Sequence, residues 1–332
     1  MIRFSVIIPL YNKAPYVRKA LESVIAQTYR DFELIIVDDG STDNSVAICE
    51  EFINSLTLSL VNSLRLLRQP NSGVAAARNN GVKASCGEYV CFLDADDWWG
   101  PTFLEEMDRL ITDYPDAGLY CTNYVYYKPG KTHVALSLPR GYMNYPEAYA
   151  EKLIMPVTSI TTCMPRRVFD EMGGFPVGIK LGEDFLLWAK TAIKYKVAFC
   201  EKPLAYYNND IPASMRATRN LHAPKHHMLF NMNNIEKEIE RPSFVNSFTP
   251  SLVTAWKQLF DKLRISGLMD YWLSDEYHDA AAEELKKVDW TKQPKKAKAQ
   301  YEKPIWLLRV KRRLMQVGSA IKQRLIRMMK NE

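Results

Sequence analysis

Residues 4–45 read FSVIIPLYNKAPYVRKALESVIAQTYRDFELIIVDDGSTDNS. A short β-rich run at 4–10 is followed by an amphipathic stretch at 14–27, and a second such run at 32–37 by another amphipathic stretch at 43–53. Apolar runs of strand length that alternate with helix-period stretches read as successive βαβ units. The alternation continues with 64–68 and 74–84, then 89–93 and 101–112. This predicts an α/β fold with a mostly parallel, Rossmann-like sheet flanked by helices. Sheets of that kind bind ligands beyond the carboxyl ends of their strands. Strand one is followed by Tyr11-Asn12, strand two by Asp38-Asp39-Gly40-Ser41, strand three by Asn71-Ser72-Gly73 and strand four by Asp94-Ala95-Asp96-Asp97. Polar and acidic residues are therefore expected to meet along one edge.

Past residue 127 the alternation becomes irregular, with Pro129-Gly130, Pro139, Gly141 and Pro146 marking loops or hairpins. A strand is expected at 157–163, a short helix at 166–172, and a helix opening at Gly182-Glu183-Asp184 and running to about Tyr195. Residues 222–289 read as mainly helical, giving the fold a C-terminal helical extension. The expected divisions are 1–215, 216–291 and 292–332.

The 332 residues are 47% hydrophobic and 25% charged, ordinary for a globular protein. No apolar run reaches the length of a membrane span, and the opening MIRFSVIIPLYN lacks the features of a signal peptide. Six cysteines without CxxC spacing suit buried, reduced thiols, so a cytoplasmic location is expected. The net charge of +6 is unevenly placed: residues 292–330 hold 13 Lys/Arg and one acid, Glu302, which leaves the remainder net acidic. That argues against a nucleic-acid partner for the main body.

Three acidic groups carry chemistry. Asp94 and Asp96, one residue apart at a strand end, are hard oxygen ligands that suit Mn²⁺ or Mg²⁺ shared with a diphosphate; a solvated acidic turn is the bland alternative. A carboxylate of Asp38-Asp39 could accept the imide proton of a uracil ring, while Ser41, Thr42 or Asp43 could cap the next helix. Glu183-Asp184 is either a catalytic pair or favourable charge at a helix N-terminus. Trp98 and Trp99, beside the acidic turn, could stack on a sugar or pack in the core. His222, His226 and His227 lack partners for a zinc site.

The run SVIIPLYN…VDDGSTDNS, with NSGVAAARNNGV, EYVCFLDADDWW and GGFPVGIKLGEDFLLW, resembles family 2 glycosyltransferases of the GT-A fold over residues 3–210. The resemblance implies an inverting hexosyltransferase (EC 2.4) that uses a UDP-sugar and a divalent metal. It implies that Pro9, Tyr11 and Asp39 contact the base with Arg78 lining that pocket. Asp94 and Ala95 would face the ribose and diphosphate, Asp96 and Asp94 would hold the metal, and Glu183-Asp184 would supply the base, with Asp184 favoured. Processive members resemble a QxxRW pattern after the base, absent here, so transfer of one sugar is expected. Arg216 or Arg219 stands where a diphosphate clamp is expected.

In the tail, Leu307, Val310, Leu314, Val317, Ile321, Leu325 and Met328 share one helical face among basic residues, with Trp306 near the start. A basic amphipathic helix over 304–330 suits the surface of an anionic membrane; packing on the domain or a partner is the alternative. With the resemblance, this implies a peripheral protein on the inner face of the cell membrane. Its acceptor would then be a glycan, polyprenyl-diphosphate-linked, of surface-polysaccharide assembly. Two other readings stand beside it. One is an idle scaffold that binds a sugar nucleotide; the other is a sugar-1-phosphate nucleotidyltransferase, disfavoured because PLYNKAPY offers Lys13 but no glycine.

Overall fold

The computed structural model describes residues 2–56, 63–212, 215, 221–241, 249–312 and 314. It divides into two compact units, Met1–Leu259 and Phe260–Glu332. In the first, β1 (Phe4–Leu10), α1 (Val17–Ile25), β2 (Phe32–Asp38), α2 (Ser45–Ser55), β3 (Ser63–Arg68), α3 (Val74–Ala84) and β4 (Tyr89–Phe92) follow the expected alternation. Then come β5 (Trp98–Trp99), α4 (Phe103–Asp113), β6 (Ala117–Tyr127), β7 (His133–Val134), β8 (Gly141–Met143) and α5 (Tyr145–Lys152). After β9 (Thr162–Pro165), α6 (Arg166–Met172), α7 (Glu183–Lys194) and β10 (Lys196–Asn208), helix α8 (Asn233–Glu240) follows, and α9 (Pro250–Gly267) begins in the first unit and ends in the second.

The sheet order is β3-β2-β1-β4-β9-β6-β10-β5. Strands β3, β2, β1 and β4 are mutually parallel, β9 is antiparallel to both β4 and β6, and β10 is parallel to β6. Because β9 reverses the direction once on each side, the carboxyl ends of β1, β2, β4, β6 and β10 share one edge. Every residue of β1 and β2 is buried, as expected of strands covered on both faces. Val6, Ile8 and Leu10 alternate onto the face that Val17, Ala20, Leu21 and Val24 of α1 cover. Ile7 and Val37 point the other way, against Gly81 of α3.

Pro9 lies inside β1, where a missing N–H would break a central ladder. Leu93 N–H donates to Ile7 O, so alternate residues of β1 turn toward β4, and the β1–β4 register ends at Ile7. Pro9 therefore faces the side on which pairing has already stopped.

One local expectation is corrected. The strand expected at 157–163 is confined to Thr162–Pro165, because Thr158 and Thr161 form a reciprocal capping box around a 3₁₀ turn at Ser159–Thr161. Of the cap candidates after β2, Asp43 reaches the first residue of α2, its Oδ1 accepting the Ser45 N–H at 2.9 Å, while the flanking Asn44 makes no side-chain cap bond. The same polar run also ties two loops together, as described below.

The second unit holds α10 (Met269–Trp272), α11 (His278–Lys286) and α12 (Lys295–Ala299). Its buried Arg264 donates to Glu284 at 3.0 Å, and Trp272 packs against His278 and edge-on to Tyr301. Residues 305–312 are helical; Arg309 and Arg312 pair with Asp275 and Asp270 at 2.6 Å, while Trp306, Leu307, Val310 and Leu314 are exposed. Residues 313 and 315–332 lie outside the described residues.

A Cβ added at Gly81 would overlap Ile7 Cγ2 and lie 3.2 Å from Val37 Cγ2. Gly81→Ala gains about 1 kcal/mol in helix propensity, yet overpacking of a tight core costs about 1–3 kcal/mol. Net destabilisation is expected, read as a lower urea midpoint.

Candidate active site

The strand ends are joined by side chains. Asn12, just past β1, has φ of 51°, a left-handed conformation that Asn tolerates better than most residues. There its Oδ1 accepts from the N–H groups of Thr42 at 2.8 Å and Asp43 at 3.3 Å, while its own N–H donates to Ser41 Oγ at 3.0 Å. Lys13 N–H donates to Ser45 Oγ at 2.8 Å and Ala14 N–H to Asp43 Oδ2 at 3.1 Å. The polar run after β2 thus fixes the loop after β1. Tyr11 is left 47% exposed above it.

Asp39 is 3% exposed and organises the loop after β3. Its Oδ1 accepts from Gln69 Nε2 at 2.7 Å and Ser72 N–H at 2.8 Å, and its Oδ2 from Gly73 N–H at 2.8 Å. A carboxylate offers about four lone-pair sites, so one remains on Oδ2 for a ligand N–H.

Arg78 reaches from α3 to two other elements. It is 3% exposed; Nη2 donates to Asp94 Oδ1 at 2.6 Å, Nη1 to Glu183 Oε1 at 2.8 Å, and the guanidinium lies 5.1 Å from the Phe175 ring. Its buried donors turn toward the acidic groups that need a counter-charge.

After β4 the chain runs through Leu93 into Asp94-Ala95-Asp96-Asp97. Ala95 is 2% exposed and adds no polar group. Asp96 Oδ2 accepts from Lys13 Nζ at 2.6 Å. Asp97 turns inward, accepts the Asn208 N–H at 2.7 Å, and so ties the acidic turn to the end of β10. Burial, then the charges of Asp96 and Asp94, hold its carboxyl well above the usual carboxylate range.

Glu183 and Asp184 open α7 behind Gly182, whose φ is +82° and where a Cβ would strike Met228. The preceding loop is pinned by the histidine segment: His226 O accepts the Lys180 N–H at 2.7 Å, and Leu181 O accepts the Met228 N–H at 3.0 Å. His227, whose Nδ1 accepts from Leu229 N–H, is lowered to about 4, first by burial and then by His222. Among the described residues no group of three or more His, Cys, Asp or Glu could hold a metal. Glu183 is committed to Arg78, whereas among the described residues Asp184 takes only the N–H of its own neighbour Phe185 at 2.7 Å. Burial, and next the charge of Glu183, raise Asp184 to about 7 against the opposing pull of Arg78.

Asp94 Oδ2 and Asp96 Oδ1 accept no hydrogen bond among the described residues. Two hard oxygens at an open edge fit Mg²⁺ or Mn²⁺ taking its other ligands from phosphate and water, rather than a closed protein cage. Trp99 is core: it stacks on Phe103 at 4.0 Å and donates to Ile160 O at 2.7 Å. Trp98 carries Lys19 Nζ over its ring at 3.0 Å and Tyr206 stacked on it at 5.4 Å, so its faces are largely used. Arg216 and Arg219 lie outside the described residues. Asn12, Lys13 and Asp97 escaped the sequence reading; for Lys13 the available signal was a cation at the same sheet edge as the acidic turn.

Residues 5–173 match the model of "Glycosyl transferase family 2". The chain is 31% identical over 223 residues to glycosyltransferase GlyA of Streptococcus pneumoniae, covering 62% of this chain and 30% of that protein. It spans 30 to 39% of the length of the first curated relatives it matches. Among solved structures it resembles S. aureus TarS 1-349 in complex with UDP-GlcNAc, with TM-score 0.70 and 20% identity over 90% of this chain and 83% of that one. It also resembles mannosyltransferase PcManGT from Pyrobaculum calidifontis in complex with GDP-Man and Mn²⁺, with TM-score 0.54 and 20% identity over 88% of each chain. The architecture is of the GT-A type.

Breaking a buried ion pair by removing one partner costs about 3–5 kcal/mol. Arg78→Met leaves the buried Glu183 without its cation, so a loss of about that size is expected in urea denaturation at neutral pH.

Proposed function

We propose that this chain, which belongs to glycosyl transferase family 2, moves one sugar from a UDP-sugar to a glycan acceptor with inversion. The observation that carries the reading is the separation of roles within Glu183-Asp184. Arg78 holds Glu183, leaving Asp184 half-buried, lightly bonded and raised to about 7, suited to take a proton near neutrality. Single displacement needs one such carboxylate, to remove the acceptor hydroxyl's proton as that oxygen attacks the anomeric carbon from the face opposite the departing UDP. Asp39 keeps one acceptor site for the uracil imide, and the exposed Tyr11 offers a ring to stack on the base. Asp94 and Asp96 would hold Mn²⁺ or Mg²⁺, which when bound supplies charge neutralisation for the leaving diphosphate. The neighbours bound to UDP-GlcNAc and to GDP-Man with Mn²⁺ support a nucleotide-sugar donor.

Residues 1–215 would form the donor-binding catalytic part and 216–291 the acceptor side. No helix among the described residues is long and apolar enough to cross a membrane. The start of the tail supports peripheral docking instead. Arg309 and Arg312 are drawn onto the second unit by Asp275 and Asp270, which turns Trp306, Leu307, Val310 and Leu314 outward beside Lys303 and Lys311. A lipid-linked acceptor on an anionic cytoplasmic leaflet fits that arrangement. The competing reading is a scaffold that binds the donor without turning it over.

The test is UDP release from a panel of UDP-sugars with and without Mn²⁺. Asp184→Asn is expected to lower turnover by about 10²–10⁴ while UDP still binds, and Asp96→Asn to remove the metal dependence. A native protein that binds UDP-sugars with no release in the presence of a lipid-linked glycan would favour the scaffold. The base works deprotonated, so kcat/KM should fall as pH drops below about 7 rather than near 4. Glu183→Gln removes a charge that raises Asp184, so that limb should move to lower pH. Native protein should sediment with vesicles containing phosphatidylglycerol, and Trp306→Asp combined with Leu307→Asp should weaken this.

A further inference from the structure

Both carboxylates of the acidic turn already carry a protein cation, and the two cations differ in how they are held. Arg78 is 4% exposed in its side chain, serves Asp94 and Glu183 together, and lies beside Phe175. Withdrawing it would leave the buried Glu183 and the half-buried Asp94 unpaired, at high cost. Lys13 has 17% of its side chain exposed and, among the described residues, one ion pair, to Asp96 at 2.6 Å, and a contact to Met215 O at 3.5 Å, the limit of a hydrogen bond. Its backbone is anchored through Ser45, but its ammonium sits on a flexible four-carbon stem. Of the two cations, Lys13 is the one free to move.

We propose that Lys13 is an exchangeable counter-ion that couples metal binding to nucleotide binding at this site. Its ammonium neutralises, through Oδ2, the same Asp96 carboxylate whose free Oδ1 would help to hold a divalent cation. A metal ion approaching the protein alone meets a neutralised carboxylate and a like charge a few ångströms away, and that repulsion is strong at a half-buried site. A nucleoside diphosphate brings phosphate oxygens to which the ammonium can transfer, which releases Asp96 and adds further ligands for the metal. Each ligand then strengthens the other's binding, by an equal factor in both directions. Lys13 acts as a positioning residue in this scheme. The inference rests on the metal and nucleotide assignments proposed above.

The experiment titrates Mn²⁺ into the full chain, following the free-ion electron paramagnetic resonance signal, with and without UDP. It compares native protein, Lys13→Met and Lys13→Arg, with melting temperatures to confirm folding. Lys13→Met is expected to bind Mn²⁺ alone about tenfold tighter than native protein. The enhancement by UDP, large in the native chain, should shrink in Lys13→Met and persist in Lys13→Arg. Unchanged or weaker Mn²⁺ binding by folded Lys13→Met, with native protein still binding Mn²⁺ in the presence of UDP, overturns the inference and leaves the proposed function standing. Failure of native protein to bind Mn²⁺ even with UDP overturns both.

Discussion

The Arg78 guanidinium is the constraint around which the acidic edge is arranged. Asp94, Glu183 and Asp184 are drawn together from a strand end and a helix start that lie about ninety residues apart in sequence. Without a buried cation between them, their mutual repulsion and desolvation would push the loops apart or force protons onto them. Arg suits the position because its planar fork bonds two carboxylates at once and stays charged in the interior. One guanidinium thereby sets the charge state of the whole edge and leaves the carboxyls unequal: Glu183 engaged, Asp184 raised.

A second cation completes the balance from the opposite side. Lys13 faces Asp96 from the loop after β1, and that loop is itself fixed by Asn12, Ser41, Asp43 and Ser45. The polar residues after β2 are thus bonded sideways to a neighbouring strand end as well as forward into their own helix, where Asp43 accepts the Ser45 N–H. Asp39 does the same for the loop after β3. The edge is a lattice of loop-to-loop hydrogen bonds on a rigid sheet, which suits a site that has to hold a large charged ligand in register.

The sheet's direction change is what lets distant segments share this edge. Strand β9 runs against its neighbours, so β6 and β10 again point the way β1 does, and the end of β10 meets the acidic turn. Asp97 fastens that junction through the Asn208 N–H, and burial together with the charges of Asp96 and Asp94 favours its neutral form. Two carboxylates of the turn therefore face the open edge, while a third serves the fold.

The sequence by itself determined the alternation of strands and helices through residue 113, the placing of Tyr11, Asp39, Asp94 and Asp96 at strand ends, and the helix that begins at Glu183. These follow from local periodicity and turn chemistry, which a linear reading carries. It placed the strand near 162 too early, since the capping box of Thr158 and Thr161 is a reciprocal side-chain bond that propensity does not encode. Only the tertiary structure decided which acid meets which cation. Arg78 pairs with Asp94 and Glu183, Lys13 pairs with Asp96, and Glu183 is set apart from Asp184. Pairings of that kind depend on long-range contacts across the sheet edge, where the energy of burying a charge, more than its neighbours in sequence, selects the partner.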